Sequence, residues 1–389
     1  MKTRVPEGFI DSVERMRAAH ESILEALRRR GMTIPDYTDY AGRGRAEGTG
    51  AAKAYPIQGI LKYHGMADWR WRTAYLPSIS VNNDAAYTIT LVTFDPALAQ
   101  DDIRINGRLA TDRAQERVLR VLDELRRIGG ITSPARVISR NFMGAATTAK
   151  GLGTSASASA ALAAAAARAA FPDIPVHGRF INCLARLLAG SGCRSAAGGI
   201  ALWLSYPGIA HEESFALRLD RDDQLRDVRL ITLPLSSRIG LQTERAHREA
   251  PQSPLFRPWM YSRHEEVLEC IEAVQQNDWE TVGQLAELDS IRLHAVTMSA
   301  SRENKIFAWE PENIILFRAC NDMRREGIPV YFSTDTGPTT VFITHEDHVK
   351  AVRARLRALK LGVEPVVGKI SGPVQMLSTE EAKIALGIC

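Results

Sequence analysis

Residues 140–159 contain a glycine–serine turn, Gly151-Leu152-Gly153-Thr154-Ser155, that runs straight into the alanine-rich residues 156–170. Alanine is the strongest helix former, and the first turn of any helix leaves backbone N–H groups without partners. Glycine lets that backbone approach a ligand closely, and the helix dipole favours negative charge there. A loop of this kind opening a helix is a cradle for phosphate oxygens. A plain Gly/Ser turn ahead of a buried alanine helix reads the same residues equally well, and the Gly-Lys-Ser/Thr order of the P-loop is missing. Three other residues could act with the cradle. Lys62 ends the apolar run 57–61, next to Tyr63-His64-Gly65; a lysine there is either a solvated edge charge or a holder of phosphate or carboxylate. Arg194 stands in a second glycine–serine turn, residues 190–199, where its planar fork suits the same anions as readily as solvent. Asp335 follows an apolar run and precedes Gly337-Pro338, so it is either a turn former or a general base.

The elements that must position these groups are set by periodicity. Residues 6–30 have helical spacing, and residues 36–52, rich in Gly, Asp and Arg, read as an exposed linker. Strands are expected at 54–61, 78–81, 87–94, 103–107 and 137–138, with a helix over 113–128. The alanine helix and a helix at 181–188 precede a strand at 200–204. The second half offers strands at 228–233, 330–333 and 339–344, helices at 264–275, 281–295 and 312–326, and a loop-rich connection over 236–255. The interleaved Trp69-Arg70-Trp71-Arg72 hints at nucleic acid, but four residues suit a lid or core edge better.

Composition sets the outer bounds. A chain of 389 residues with 45% hydrophobic and 24% charged content reads as a soluble globular protein of two domains or one large α/β unit. A net charge of +4 is too mild to argue for nucleic acid, and it suits a locally basic pocket for a small anion. No apolar run is long enough for a membrane span, and acidic residues near the N-terminus speak against a signal peptide. Five scattered cysteines without C-x-x-C spacing speak against a disulfide framework or a zinc site and point to the cytoplasm.

Taken in chain order, these segments resemble the mevalonate diphosphate decarboxylase family, within the GHMP small-molecule kinases, over residues 54–373. The family's Lys-Tyr-Trp-Gly matches Lys62-Tyr63-His64-Gly65, and its loop Pro-Thr-Ala-Ala-Gly-Leu-Ala-Ser-Ser-Ala is similar to residues 147–156. Its Gly-Ser-(Ala/Gly)-Cys-Arg-Ser…Gly-Gly resembles residues 190–199, and its Asp-Ala-Gly-Pro resembles Asp335-Thr336-Gly337-Pro338. Its Asn-Gln-(Leu/Phe)-His-Ala has a counterpart in Ile291-Arg292-Leu293-His294-Ala295. Each match alone is weak; five in the correct order are not.

The resemblance implies an α+β chain with the GHMP kinase fold. A ribosomal-protein-S5-like ATP-binding domain (53–219) and a ferredoxin-like C-terminal domain (220–389) would flank the active-site cleft, after a helical extension and linker (1–52). It implies ATP and Mg²⁺ as cofactors, a homodimer, no nucleic acid and no membrane. ATP would phosphorylate the 3-hydroxyl of a 5-phosphorylated mevalonate, after which phosphate and carbon dioxide leave to give an alkene of isoprenoid biosynthesis. By family position Asp335, Lys62 and Arg194 are catalytic: Asp335 takes the hydroxyl proton, Lys62 holds Asp335 ionised, and Arg194 clamps the carboxylate. Tyr63, Ser155, Ser195 and Arg194 would meet substrate. Lys150, Gly151, Leu152, Gly153, Thr154, Ser155 and Ser157 would hold the nucleotide, with magnesium carried by ATP near Ser155. The chain departs from the pattern in three places. The family's Asn-Ile-Ala-x-x-Lys reads Ile57-Gln58-Gly59-Ile60-Leu61-Lys62, losing the asparagine. The lysine after Tyr-Trp-Gly is Met66, and Leu-Pro-x-Asn-x-Ser shortens to Leu76-Pro77-Ser78. The missing cation tilts the reading from the 5-diphosphate toward the 5-phosphate. The opening Ala54-Tyr55-Pro56 and the Ile57-Gln58-Gly59 that follow look like archaeal branches, which include decarboxylases of mevalonate 5-phosphate or 3,5-bisphosphate and a mevalonate 3-kinase without the Lys/Asp pair. An ATP-independent 3,5-bisphosphate decarboxylase, a mevalonate-type small-molecule kinase and a non-catalytic binding module are the alternatives.

Overall fold

The computed structural model describes residues 3–143, 153–236 and 243–388. The chain opens with helix α1 (Val13–Arg29), shorter than the periodicity suggests because a 3₁₀ turn, Ile10–Ser12, takes up the first residues. Strands β1 (Gly48–Ala54), β2 (Ile57–Leu61), β3 (Met66–Asp68), β4 (Thr73–Ala74), β5 (Ser78–Asn82) and β6 (Tyr87–Phe94) come next. After the hairpin β7 (Asp102–Ile105) and β8 (Arg108–Leu109) come α2 (Asp112–Gly129) and β9 (Ala135–Phe142). Three helices, α3 (Thr154–Ala170), α4 (Gly178–Leu188) and α5 (Gly192–Ala197), lead to β10 (Ile200–Trp203) and β11 (Ala216–Arg218). The second half holds β12 (Val228–Leu233), α6 (Thr243–Glu249), α7 (Phe256–Gln275), α8 (Trp279–Ala300) and α9 (Pro311–Arg325). It closes with β13 (Tyr331–Thr334), β14 (Thr340–His345), α10 (Val349–Ala358), β15 (Val366–Lys369), β16 (Gln375–Leu377) and α11 (Thr379–Leu386).

Three larger sheets result, ordered β16-β1-β6-β9-β7-β8, β11-β10-β5-β2 and β13-β14-β12-β15. The first corrects the expected linker, because residues 48–52 lie inside β1, between β6 and β16. Small residues explain both the strand and why composition hid it. A Cβ on Gly48 would sit 2.2 Å from the Ala169 carbonyl oxygen, and one on Gly50 2.3 Å from that of Ala165. The alanine face of α3 therefore lies directly on glycine backbone, burying thirteen of the helix's residues. The 190–199 segment, expected as a turn, is the buried helix α5 flanked by glycines, and the 236–255 connection contains α6.

The halves interlock. β16 pairs with β1, so the last residues of the stretch expected as the C-terminal domain complete the first sheet. The N-terminal segment straps both halves: Thr3 Oγ1 donates to the Ile209 carbonyl at 2.6 Å, while Arg257 of α7 donates to the Gly8 carbonyl. Edge strands β2 and β13 face each other across the junction through side chains. Gln58 Nε2 donates to Ser333 Oγ at 2.8 Å, and Ser333 Oγ donates to the Gly59 carbonyl at 2.7 Å. That junction positions the site. Among the described residues no helix is long and apolar enough to cross a membrane, and four cysteines, all buried, are free.

Candidate active site

Strand β2 is buried along its whole length and carries a bulge between Gly59 and Leu61 in its pairing with β5. A bulge bends its strand and re-aims the side chains beyond it. Here the re-aimed residue is Lys62, 3% exposed. Its ammonium is fully engaged: Nζ donates to Gly59 O at 2.9 Å, Ala286 O at 3.1 Å and Ser333 Oγ at 3.0 Å. Asp335 lies just past β13 and approaches the same glycine, its Oδ1 accepting from Gly59 N at 3.3 Å. A Cβ on residue 59 would stand 2.7 Å from that oxygen and 2.8 Å from Lys62 Cγ, so only glycine lets the two side chains flank it. Among the described residues Lys62 and Asp335 make no ion pair within 4.0 Å; the charges face each other without touching. Burial pushes Lys62 down to about 8, against the pull of Asp335 and Asp289. Burial also raises Asp335 above the usual carboxylate range, although Lys62 and Arg194 oppose it.

Arg194, on α5, is 3% exposed and lies with its Cζ 5.2 Å from the centre of the Tyr63 ring. Its Nε and Nη1 have no hydrogen-bond partner. Buried unpaired guanidinium N–H groups are costly and await an acceptor. Tyr63 is itself stacked on His247, ring centres 5.4 Å apart. These residues line a cleft of about 630 Å³ shared by Gly59, Lys62, Gly153, Ser155 and Asp335.

The cleft is also lined by further cations. Arg72, Arg113 and Arg117 all line the cleft, and Arg72 Nε is buried without a partner. Arg72 sits in the left-handed region (φ +52°), which bulky residues seldom adopt. Burial, then the like charges of Arg72, Arg113 and Arg120, push Arg117 down to about 10. Crowded cations in a cleft wall raise the local concentration of an anionic ligand. Met66 lies in β3 and is 4% exposed, outside the cleft lining.

Of the nucleotide cradle, Lys150, Gly151 and Leu152 fall outside the described residues. Gly153 is the left-handed cap of α3 (φ +67°), where a Cβ would stand 2.6 Å from the Ile57 carbonyl oxygen. Gly153, Thr154 and Ser155 line the cleft with the helix N-terminus behind them. These residues fit a nucleotide phosphate by their chemistry: open backbone donors, a glycine no other residue could replace, and an exposed hydroxyl. Two expected contacts are turned away. Ser157 is fully buried, its Oγ donating to the Thr154 carbonyl at 3.0 Å and bonding Thr88 Oγ1 at 2.7 Å. Ser195 is fully buried with its Oγ donating to the Tyr55 carbonyl at 2.6 Å, because helix α5 points it away from the cleft that Arg194 faces. Among the described residues no group of three His, Cys, Asp or Glu could hold a metal ion.

Sequence reasoning missed Gln58, Ser333, Arg263 and Asp289. The signal for Asp289 was present: it interrupts the buried stripe Val282, Leu285, Ala286, Leu293, Val296 of α8.

The architecture and cleft are those of the GHMP small-molecule kinase class. A mevalonate diphosphate decarboxylase structure from Enterococcus faecalis superposes with a TM-score of 0.77 at 27% identity, covering 86% of this chain and 100% of that one. A structure described as a complex with MVAPP, AMPPCP and magnesium matches at TM-score 0.77 and 26% identity over the same shares. Residues 54–216 match the family model of the diphosphomevalonate decarboxylase-like N-terminal domain. A phosphomevalonate decarboxylase from Haloferax volcanii is 34% identical over 332 residues, 85% of this chain and 98% of that protein. A mevalonate 3,5-bisphosphate decarboxylase from Thermoplasma volcanium is 29% identical over 75% of this chain and 76% of that one. The chain belongs to the mevalonate diphosphate decarboxylase family.

Proposed function

We propose that this chain is an ATP-dependent decarboxylase of a 5-phosphorylated mevalonate, preferring the 5-phosphate over the 5-diphosphate. Its products would be isopentenyl phosphate (or the diphosphate), ADP, phosphate and carbon dioxide. The observation that carries this reading is Arg194: a buried guanidinium with two unpartnered nitrogens, in the same cleft as Asp335, Lys62 and the α3 N-terminus.

Asp335 takes the proton of the 3-hydroxyl; its burial makes it a stronger base than a solvated carboxylate. Lys62, with its donors already committed, serves as a fixed positive charge that favours ionised Asp335. Gly153, Thr154 and Ser155 hold nucleotide phosphate oxygens, where ATP and its magnesium supply the phosphoryl group. Arg194 grips the substrate carboxylate while electron density leaves C3, so that carbon dioxide departs from a held geometry. Arg72 and Arg117 receive the 5-phosphate across the cleft. The preference for one phosphate rests on Met66, which stands at the sequence position where the family pattern has a lysine, so that this chain brings no cation there.

Release of carbon dioxide and ADP from mevalonate 5-phosphate, 5-diphosphate and 3,5-bisphosphate, each with and without ATP, tests the reading. Turnover of the 5-phosphate with ATP is expected. Carbon dioxide from the bisphosphate without ATP, and none from the other two, would overturn it.

A further inference from the structure

The main chain of Lys62 is gripped from both sides by the second half of the molecule. Asp289 Oδ2 of α8 accepts from Lys62 N at 2.5 Å, and Arg263 Nη2 of α7 donates to Lys62 O at 3.1 Å. The two grips are joined, since Arg263 Nη2 also donates to Asp289 Oδ1 at 2.8 Å. A third bond, from Trp259 Nε1 at 2.7 Å, fixes that same oxygen. Arg263 is 0% and Asp289 1% exposed, so neither charge is a surface ornament. A buried pair of this kind adds little net stability over an apolar pair, whereas losing one partner leaves the other ion poorly compensated; Arg263 Nη1 has a second, longer ion pair with Glu266 at 3.4 Å.

The same face of α8 reaches the other catalytic group. Ala286 O accepts from Lys62 Nζ, Ser290 Oγ accepts from Thr334 N at 3.1 Å, and His294 Nε2 donates to the Asp335 carbonyl at 2.9 Å. Residues 286, 289, 290 and 294 recur at three- and four-residue spacing, the spacing of one helix face. A single rigid helix thus touches both strand ends, whose side chains must meet a reacting hydroxyl together.

We propose that the Arg263–Asp289 pair positions the reaction centre: it clamps the Lys62 main chain to α8 and so fixes Lys62 against Asp335. The inference rests on the assignment of Lys62 and Asp335 above and adds two positioning residues to it.

The test is Asp289→Asn in the full chain, assayed for kcat, both KM values and the pH dependence of kcat/KM. The amide keeps the volume, but one of its faces turns a donor toward another donor, releasing either Lys62 N or Arg263. The expected result is kcat lower by about 10- to 100-fold, the cost of small misplacements at reacting groups, with both KM values within about threefold. The pH profile reads the charge directly. Lys62 is faced by Asp335, Asp289 of α8, Arg263 of α7 and Arg194 of α5, and Asp335 by Lys62, Arg194 and Asp289. Without the Asp289 charge Lys62 loses a group that holds its proton, and Asp335 loses a like charge that raises it. Both limbs then move to lower pH, which simple destabilisation does not produce.

Leu356→Ala, which empties part of the separate core under α10, serves as the destabilised control and keeps kcat. Should Asp289→Asn precipitate, Arg263→Gln/Asp289→Asn removes both charges of the pair and carries the same expectation for kcat and KM. Its Asp335 limb still moves to lower pH, while its Lys62 limb stays nearer wild type because the like charge of Arg263 is lost as well. Wild-type kcat and an unmoved pH profile in the soluble variant overturn the proposal. Asp335→Asn, measured alongside, separates the two levels. If it is inactive while Asp289→Asn is normal, only the clamp is wrong; if it is active, the assignment of the site falls and the clamp with it.

Discussion

The two ends of the cleft are built in opposite ways. At the Lys62–Asp335 end, the donors of the lysine are committed to Gly59 O, Ala286 O and Ser333 Oγ. Elsewhere in the cleft Arg194 Nε, Arg194 Nη1 and Arg72 Nε are buried with nothing to donate to. The first arrangement is finished before any substrate arrives, and the second is completed only by an anion. Preorganised groups act where charge changes in the reaction, because they need not reorganise during it. Unpartnered cations act where binding energy is gathered. Substitutions at the two ends should therefore fail differently, in kcat at one and in KM at the other, with Arg194 between them.

The largest effect belongs to Asp335. We expect Asp335→Asn to lower kcat by about 10²- to 10⁴-fold, the range for a lost general base, with no loss of melting temperature. The neutral amide no longer carries the desolvation that raises the carboxylate. Steady-state turnover and a thermal melt on the same preparation check both halves; near-normal kcat would remove Asp335 from the mechanism. Next comes Arg194. Arg194→Ala should cost about 10²- to 10³-fold in kcat, as for other donors aimed at a developing charge, with ATP affinity changed far less. Lysine at 194 should not restore it, because a point charge cannot replace a planar two-pronged donor. Equal losses in turnover and in ATP binding, measured by calorimetry, would argue that Arg194 only holds nucleotide.

At the binding end, Arg72→Ala should raise the KM for the 5-phosphorylated substrate about tenfold, worth about 1.4 kcal/mol, and leave kcat near wild type. The effect should shrink as salt rises, since a partly exposed cation is screened. A kcat defect instead would place Arg72 with the chemistry and erase the contrast between the ends.

How far the sequence discloses the site obeys the same division. Lys62, Arg194 and Asp335, the residues proposed for catalysis, stand out in the sequence because each lies in a short segment whose neighbours are local: a strand end, a glycine-flanked helix, a Gly-Pro turn. Ser157 and Ser195 mislead because spacing along a loop says nothing about which way a helix register turns a hydroxyl. Helical geometry points both inward, to Thr154 O and Tyr55 O. Strand β1 reads as a linker because glycine normally weakens a strand, and only the backbone of α3 pressing at Gly48 and Gly50 makes it the right residue. Asp289 and Arg263 escape a reading of the sequence because their meaning lies in partners 227 and 201 positions away along the chain.

The smallest effect sharpens the contrast most, because at Lys62 activity and stability should run in opposite directions with pH. Burial lowers Lys62 from 10.5 to about 8 in the folded chain. Between those values the unfolded chain binds more protons than the folded one, so stability contributed by this group rises with pH. Below pH 8 both states carry the proton and the desolvation cost of the buried cation is fully present; above it that cost is progressively relieved. Activity needs the cation, so kcat should fall through the same interval. In Lys62→Met the stability rise disappears, and the excess of the variant's unfolding free energy over wild type should be largest at neutral pH and narrow toward about pH 10, near the unfolded lysine's own value. Urea melts of the two proteins from neutral pH up through that interval measure it. A pH-independent difference would mean that Lys62 is not a strained cation held by its carbonyl cage, and its role would then be packing alone.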